Sequence, residues 1–357
     1  MDRSGAPRIL FFADAGPEVG GGHVMRCLTL ARELTGRGAE CAFVESRAAA
    51  PILRRFGWPA QTLLAMVATE DLGALVAHAR DFAQRFDPDV VVVDHYGVGA
   101  AEEASLRAAG RGLAVIDDLA DRVHACDLLV DPGFGRRPEA YQGLVPEAAA
   151  RLTGPSYALV RPEFADARPR ALSRRAKHGP VRRALVSLGL TDIGGATGRV
   201  VETLRPLLGD ARLDIVLGSE APSLGAVEAA VLADRRLHLW IDSAEMGSQM
   251  ADADLAVGAG GSSVWERCVV GLPSLTLALA PNQAPMIASM AEAGMTVAID
   301  AGAADLDRRL AAAWGRLASD AALRWRLAER SSELCDGHGA GRVAEAVLAL
   351  QTSLGGS

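Results

Sequence analysis

The stretch ILFFADAGPEVGGGHVMRCLTLARELTG, residues 9–36, decides how this chain folds. Its first four residues are an apolar run that predicts a strand, and apolar positions at helical spacing after His23 predict a helix over 23–37. Gly20–Gly22 lie between them, in a loop whose backbone can approach a ligand closely. Strand, glycine-rich loop and helix in this order are typical of an α/β protein with an anion site at the helix N-terminus. The same periodicity places Arg26 on the polar face of the helix.

His23 has two interpretations at this stage. A histidine is close to neutral at physiological pH and can take up a proton, so a histidine beside an anion-binding loop could act as a general base. Alternatively, the loop is an ordinary nucleotide-binding turn that a histidine happens to follow. The spacing alone favours neither interpretation.

The alternation of strand and helix continues over most of the chain. In the first half, the predicted strands are 8–13, 40–45, 89–93, 112–116 and 127–131, and the predicted helices are 23–37, 71–86 and 100–109. In the second half, the predicted strands are 184–188, 213–217, 236–240, 254–257, 274–279 and 296–299, with helices near 195–208, 223–234, 243–252, 262–271 and 284–294 and a helical end from 305 to about 350.

Most of these strands are continuous apolar runs, which indicates parallel strands buried on both faces. We therefore predict the α/β class, with two Rossmann-like doubly wound domains facing a cleft. A basic stretch with two prolines, residues 166–183, predicts a solvated linker without a ligand. The predicted domains cover residues 1–165 and 184–357, and the helical segment 305–357 has no assigned role.

Composition narrows the function classes. The net charge of −7 makes nucleic acid an unexpected partner. The five cysteines are widely separated, with no CxxC pair and no Cys/His spacing of a metal site, which is typical of a reducing compartment. The N-terminus carries no signal-peptide pattern, and no apolar run reaches the ~20 residues that span a bilayer. We expect a cytoplasmic protein with no cofactor, metal or membrane partner; the oligomeric state stays open, a monomer included.

Two loops in the second half resemble the first one. Residues 187–195 connect a predicted strand to a helix, and so does the segment that contains Gly260-Gly261-Ser262-Ser263. Backbone amides and hydroxyls at a helix N-terminus can bind a diphosphate. Glu266, one turn further, has two interpretations: a carboxylate for the hydroxyls of a ribose, or the partner of Ser263 in a capping box. Both interpretations remain open.

Several motifs in order along positions 8–283 together resemble one family, the UDP-2,4-diacetamido-2,4,6-trideoxy-β-L-altropyranose hydrolases of pseudaminic acid biosynthesis. Each motif is weak alone, and the set is specific. The motifs are 14–28, Asp94-His95-Tyr96-Gly97, Ile116-Asp117-Asp118-Leu119, 157–164, Gly258–Ser263 with Trp265-Glu266, and Asn282-Gln283.

The resemblance implies a GT-B-like architecture related to the MurG type of glycosyltransferase, a UDP-sugar substrate and water as the acceptor. It implies that His23 is the general base and that Asn282 is a second catalytic residue, although residue type alone would make Asn282 a helix cap. For substrate binding it implies Asp14, Gly21, Gly22, Asp94, His95, Tyr96 and Asp118. For UDP it implies Gly189, Thr191, Gly260, Gly261, Ser262, Ser263 and Glu266.

One loop departs from the pattern of this family. Where the family commonly has Gly-Gly-Thr-Asp, this chain has Gly189-Leu190-Thr191-Asp192, and a leucine restricts the backbone. The expected reaction is metal-independent hydrolysis with inversion, in which an acidic neighbour (Asp14, Asp94 or Asp118) orients His23. Two rivals use the same loops: a GT-B glycosyltransferase that passes the sugar to an alcohol or lipid, and a nucleotide-sugar-binding regulator without catalysis.

Overall fold

The computed structural model describes residues 5–16, 19–59, 71–107 and 112–354. The chain divides into two compact units. Unit 1 consists of Met1–Leu159 together with His338–Ser357, and unit 2 consists of Val160–Gly337. Among the helices of the described residues, none combines the length and the apolar character that crossing a membrane requires.

Unit 1 is built on a six-stranded parallel sheet with the strand order β2-β1-β3-β4-β5-β6. Ile9 and Phe11 of its first strand pack into one buried cluster, whereas Leu10 and Phe12 pack into another. The continuous apolar run therefore fills a core on each face of the sheet. The elements are β1 (Arg8–Ala13), α1 (Gly22–Gly36), β2 (Glu40–Phe43), α2 (Ala49–Arg55), α3 (Leu72–Phe86), β3 (Val90–Asp94), α4 (Ala100–Arg107), β4 (Gly112–Ile116), β5 (Leu128–Asp131) and β6 (Ala150–Thr153).

Unit 2 repeats this architecture, with a six-stranded parallel sheet in the order β12-β11-β10-β7-β8-β9. Its strands are β7 (Arg183–Ser187), β8 (Arg212–Leu217), β9 (Leu237–Ile241), β10 (Leu255–Ala259), β11 (Ser274–Ala278) and β12 (Val297–Asp300). Its helices are α5 (Pro162–Arg175), α6 (Ala196–Leu204), α7 (Leu224–Ala233), α8 (Met246–Asp252), α9 (Ser263–Val269), α10 (Ala284–Glu292), α11 (Leu306–Ser319) and α12 (Ala321–Ser332). The prediction of two Rossmann-like parallel sheets is confirmed.

Each sheet reverses its strand order once. In unit 1, β1 has β2 on one side and β3 on the other, and in unit 2, β7 has β8 on one side and β10 on the other. The connections that follow the two neighbouring strands leave toward opposite faces, which opens a crevice at their carboxyl ends. The loops after β1 and β3, and those after β7 and β10, are therefore the positions at which this fold binds ligands.

The segment expected to be a linker, residues 166–183, is folded instead. Most of it belongs to α5, which is part of unit 2 and continues through Pro169 to Arg175. Arg168 donates hydrogen bonds to backbone carbonyls of Val269, Cys335 and Ser332, so a side chain that reads as solvated caps the ends of other elements. High charge indicated solvent exposure in the sequence, but these carbonyls satisfy the charge within the fold.

The C-terminal helix also departs from the predicted division of the chain into the domains 1–165 and 184–357. Helices α11 and α12 belong to unit 2, whereas the last helix, α13 (Gly339–Leu354), returns to unit 1. Val343, Ala344 and Val347 of α13 are buried in the same core cluster as the apolar face of α1. A Cβ at Gly339 would lie 2.3 Å from the carbonyl oxygen of Ala158, so the close approach of the two segments requires glycine there. The segment 305–357 thus serves both units.

The remaining differences are local. Two short elements, α2 and β6, were not predicted, because neither has a strong apolar period. Two predicted pieces lie outside the described residues, namely the end of the helix at 108–109 and Pro17-Glu18 of the first motif.

Candidate active site

The first glycine-rich loop follows β1 at the reversal point of the unit 1 sheet. Gly20 has a φ of 78°, a conformation that favours glycine, and its amide donates to the carbonyl of Gly16 at 2.7 Å, which closes the turn. Gly21 is the N-cap of α1 and Gly22 is its first residue. The predicted helix boundary is thus correct to about one residue, and it places His23 in the first turn at the edge of the crevice.

His23 is paired with Asp94, the last residue of β3. The Nδ1 atom of His23 lies 2.7 Å from Oδ1 of Asp94, and both side chains are buried. An ionised carboxylate only accepts hydrogen bonds, so Nδ1 carries the proton and the lone pair of the neutral ring is on Nε2. Of the three carboxylates expected as candidates to orient His23, the structure places Asp94 in this position. The pair has the geometry of a general base, His23, that is oriented by the carboxylate of Asp94.

Arg26 belongs to the same cluster, although the sequence did not predict it as a candidate site residue. Its Nε and Nη2 atoms donate to the two carboxylate oxygens of Asp94, each at 2.6 Å, and Nη1 donates to Asp118 at 2.8 Å. Although burial opposes their ionisation, the adjacent guanidinium holds the pKa values of Asp94 and Asp118 below the ordinary range. The signal for Arg26 was its position three residues after His23, but its charge indicated the solvent face.

Tyr96 and His95 follow β3 and complete this cluster. The Tyr96 hydroxyl donates to Asp118 at 3.0 Å, and its ring meets the ring of His23 edge-on, with centroids 4.4 Å apart. Burial and the charge of Asp118 raise the pKa of Tyr96, so its hydroxyl keeps its proton. The amide of Gly97 donates to Nδ1 of His95 at 3.0 Å, and burial lowers the pKa of His95.

The two histidines therefore carry their protons on different atoms. Since Nδ1 of His95 accepts a hydrogen bond, its ring proton is on Nε2, which makes His95 a hydrogen-bond donor at that atom. His23 is the reverse, with an acceptor at Nε2. Asp14 lies near His95, with Oδ2 3.6 Å from Nδ1, which is longer than a hydrogen bond. The cluster thus offers one proton acceptor and one donor.

Asp117 and Asp118 follow β4 and have different partners. Asp118 contacts Arg26 and Tyr96, as described, whereas Asp117 is buried and accepts hydrogen bonds from the amide of Ala120 and from the hydroxyl of Tyr141, each at 2.8 Å. Asp117 therefore holds the strand end in place, and Asp118 is the member of the pair that joins the cluster around His23.

In unit 2, the loop after β10 contains glycines that its packing requires. A Cβ at Gly258 would lie 2.3 Å from Nη1 of the buried Arg267, and one at Gly260 would lie 2.1 Å from Cδ1 of Ile287. Ser262 is the N-cap residue of α9, and the hydroxyl of Ser263 accepts a hydrogen bond from Arg267 at 3.2 Å. Close packing against Arg267 and Ile287, and the pairing of β10 with β11, thus hold the loop in place.

Glu266 does not form the capping box. The N-cap residue of α9 makes no side-chain cap hydrogen bond, and the Glu266 carboxylate instead accepts from Arg161 at 3.2 Å. Burial raises the pKa of Glu266, although Arg161 opposes the shift. Its side chain keeps 18% exposure, so it is partly accessible beside the loop.

The loop after β7 lies beside the loop after β10, since Ser187 of β7 is in register with Gly258 of β10. Gly189 has a φ of 107°, while Leu190 is not among the residues with positive φ, so the leucine occupies a conformation that any residue adopts. The buried Asp192 accepts from the amides of Thr197 and Ser223, at 2.9 and 3.1 Å. Asp192 therefore anchors the loop that carries Gly189 and Thr191.

Asn282 lies in unit 2, exposed in a single 3₁₀ turn, Pro281–Gln283, that leads into α10. The N-cap residue of α10 is Gln283, so Asn282 is not that cap. Its catalytic role stays a prediction. Within the part of the chain that the structure describes, no group of three or more His, Cys, Asp or Glu could hold a metal ion.

Two parallel sheets with these reversal points and loops define the GT-B class of α/β protein. MurG of Acinetobacter baumannii is similar in structure, with a TM-score of 0.65 and 14% identity over 96% of this chain and 99% of that chain. UDP-GlcNAc 2-epimerase from Neisseria meningitidis, solved with UDP-GlcNAc bound, gives a TM-score of 0.66 and 12% identity over 96% and 100% of the two chains.

One curated relative has a name that specifies both a reaction and a sugar. The UDP-2,4-diacetamido-2,4,6-trideoxy-β-L-altropyranose hydrolase of Campylobacter jejuni is 22% identical over 293 residues, which cover 81% of this chain and 98% of the relative. No family model matches the chain. The resemblance seen in the motifs thus extends to an alignment over nearly the full length of that hydrolase.

Proposed function

We propose that this protein hydrolyses a UDP-linked diacetamido-trideoxy sugar, UDP-2,4-diacetamido-2,4,6-trideoxy-β-L-altropyranose, to the free sugar and UDP in pseudaminic acid biosynthesis. The observation that carries the proposal is the buried pair of His23 and Asp94 at the reversal point of the unit 1 sheet, 2.7 Å apart. The similarity to the Campylobacter jejuni hydrolase supports the reaction and the sugar. The likeness to the UDP-GlcNAc-bound epimerase supports a nucleotide sugar.

In the proposed reaction, His23 activates the attacking water. The water oxygen forms a bond to the anomeric carbon while its proton moves to Nε2 of His23. The bond between that carbon and the diphosphate oxygen breaks, and its electron pair leaves with UDP. Because a diphosphate is already a good leaving group, the reaction needs no acid to protonate it. Attack opposite the departing UDP inverts the anomeric configuration, and the chemistry proceeds without a metal.

The residues around His23 orient it and bind the sugar in the proposed reaction. Asp94 stabilises the imidazolium that forms, and Arg26 keeps Asp94 ionised and fixed in place. The Nε2 hydrogen of His95 and the hydroxyl of Tyr96 are polar groups for the sugar, together with Asp14 and Asp118, and the main chain at Gly21 and Gly22 forms part of the sugar site.

Unit 2 supplies the proposed UDP site. The amides and hydroxyls of the loop after β10, Gly260 to Ser263, would hold the diphosphate, and Glu266 would bind the ribose hydroxyls. Gly189 and Thr191 would contribute from the neighbouring loop, and Asn282 is the second proposed catalytic residue. We also expect a cytoplasmic protein, because a reducing compartment suits five buried cysteines.

A glycosyltransferase is the second candidate, favoured by the structural likeness to MurG. The two are separated by incubating the protein with the UDP-sugar in ¹⁸O-enriched water, without any acceptor, and following the products by NMR. Steady UDP release with ¹⁸O at the anomeric carbon of a sugar of inverted configuration supports the hydrolase. UDP release only after an alcohol or lipid acceptor is added would overturn it. UDP-sugar binding without turnover in either condition would favour a regulator.

A further inference from the structure

A cavity of about 250 Å³ lies in unit 2, at the edge of the sheet where strands begin. It is lined by the end of α5 and the connection to β7, by the residues just before β10 and β11, and by the first turn of α12. The strands of this sheet run parallel, so their carboxyl ends, which carry the proposed UDP loops, are at the opposite edge. Strands of five residues separate the two edges by roughly 15 Å.

The residues that line this cavity carry more positive than negative charge, and we call it the basic cavity. Its cations are Arg174, Arg175, Lys177, Arg182 and Arg324, and its one carboxylate is Asp254. Asp254 is already engaged, because it accepts from the Arg174 guanidinium at 2.8 Å and from the backbone amides of Arg182 and Arg183 at 2.9 Å. The nearby Asp320 accepts from the amide of Leu323 as the N-cap of α12. Four cations are left without a carboxylate in hydrogen-bond contact among the described residues.

Two of these four cations are buried. Arg175 donates to the carbonyls of Met250 and Ala253, at 2.8 and 3.2 Å, and its Nε atom is buried without a hydrogen-bond partner in the described structure. Arg324 donates to the carbonyls of Leu317, Ala318 and Gly179.

Burial lowers the pKa of Arg175 to about 9 and also lowers that of Arg324, because carbonyl dipoles replace water only in part. A buried cation without a hydrogen-bonded carboxylate costs folding free energy, and the nearby charges of Asp252, Asp254 and Asp320 offset the effect of burial only in part. An anion in the cavity would offset that cost.

The remaining groups indicate which anion fits. Guanidinium groups match phosphate oxygens with two parallel hydrogen bonds, and an ammonium adds a point charge. Trp325 lines the cavity beside the ring of His178, with centroids 5.2 Å apart, so one wall is flat and aromatic. We propose that the basic cavity of unit 2 is a binding site for a small phosphate-bearing molecule, separate from the site at the carboxyl ends of the strands.

Lys177 makes a direct test possible, because it is the only lysine in the sequence. Acylation of amines with an acetyl ester therefore modifies Lys177 and the chain's terminal amine, and mass spectrometry resolves the two. Inorganic pyrophosphate is the probe. We expect it to slow acylation of Lys177 saturably, by about tenfold at ten times its Kd, because only the unoccupied cavity reacts. The terminal amine of the same molecule is the internal control, and its rate should not change.

Two matched variants separate a site from general charge screening. Arg182→Gln removes an exposed cation of the cavity, whereas Arg235→Gln removes an exposed cation that does not line it. We expect Arg182→Gln to weaken the protection by pyrophosphate about tenfold, in line with the loss of a charged hydrogen bond, and Arg235→Gln to leave it unchanged.

Three results would overturn the proposal: protection that does not saturate, protection that sodium chloride of equal ionic strength reproduces, or equal loss in both variants. AMP is a second probe, since protection at lower concentration than with pyrophosphate would assign Trp325 to stacking with a base, and equal or weaker protection would assign recognition to phosphate alone. Both results require saturable protection of Lys177 and so support the site. The measurement needs no turnover, so its failure is distinguishable from failure of the proposed hydrolysis.

Discussion

Both units have a six-stranded parallel sheet that reverses its strand order once, but the crevices at the two reversal points are lined by different kinds of group. In unit 1, the crevice contains a buried network of ionised and ionisable side chains, in which His23 lies 2.7 Å and Arg26 2.6 Å from the carboxylate of Asp94. In unit 2, the corresponding loops carry glycines and hydroxyls, and the buried carboxylate Asp192 accepts hydrogen bonds from the backbone amides of Thr197 and Ser223. A parallel sheet with one reversal thus carries charged side chains at the reversal point of one unit and glycines with hydroxyls at that of the other.

The two crevices should therefore be sensitive to different kinds of substitution. A network of buried charges fails when one partner is removed, because the other charge is left unpaired. A loop of closely packed glycines fails when a side chain is added, because the space is already filled. Variants of both kinds test that contrast.

Arg26→Gln should have the largest effect on stability. It leaves Asp94 and Asp118 without their counter-ion, and breaking a buried ion pair costs about 3 to 5 kcal/mol. Hydrogen exchange read by mass spectrometry should show lost protection in β1, β3 and β4, with little change in the peptides of unit 2. The control is Arg37→Gln at the C-terminal end of α1, which breaks an exposed pair with Glu33 and should cost less than about 1 kcal/mol. Equal losses in both variants would mean that the network contributes no more than a surface pair.

His23→Ala should affect chemistry rather than binding. If His23 is the general base, UDP release from the nucleotide sugar should fall by at least ~10²-fold. Calorimetry should show that UDP still binds, because the proposed UDP loops belong to unit 2. Turnover close to that of the wild type would remove His23 from the mechanism, and loss of UDP binding would end the division of labour between the units.

Gly260→Ala tests the packed loop of unit 2. The new methyl group would be 2.1 Å from Ile287, so Ile287 must shift, and overpacking of this kind costs about 1 to 3 kcal/mol. Gly261→Ala is the matched control, since its Cβ would lie 3.8 Å from the Gln283 side chain, an ordinary contact. We expect weaker UDP binding and lower thermal stability in the first variant. Should Gly261→Ala weaken both as much, close packing at Gly260 is not the cause.

Acid sensitivity should be the smallest of these effects, and the contribution of unit 1 should come from Asp94 and Asp118. The pKa values of Asp94 and Asp118 are lowered on folding, so the unfolded chain binds protons more readily than the folded one. Their stabilisation is therefore complete above the ordinary Asp pKa of about 3.9 and is lost as the pH falls through the lowered values.

Asp118→Asn should flatten this dependence in urea unfolding measured at successive pH values. Asp121→Asn, an exposed change of the same charge, controls for net charge. An unchanged slope in the first variant would contradict the role of Asp118 in the network.

The sequence predicted the elements well where the signal was local. Five of the six unit 1 strands and all six unit 2 strands overlap their predicted ranges, because each is an apolar run bounded by turn residues. The predictions were wrong where contacts with distant residues decide whether a side chain is exposed or bound within the fold. The arginines of 166–183 were assigned to a solvated linker, yet Arg168 and Arg175 bind carbonyls that come from distant parts of unit 2.

The site divides in the same way. Strand, loop and helix, and the position of His23 in the first turn, follow from the spacing of residues 9–36, since backbone dihedral preferences and apolar periodicity act over a few residues. That Asp94, rather than Asp14 or Asp118, holds His23 was decided only by the pairing of β1 with β3, which sets Ala13 beside Asp94. The inward turn of Arg26 required that buried carboxylate, and the return of α13 to unit 1 required an open apolar face. Interactions between residues close in sequence thus determined the strands, loops and helices of this protein. Packing between distant segments determined which side chains contact one another.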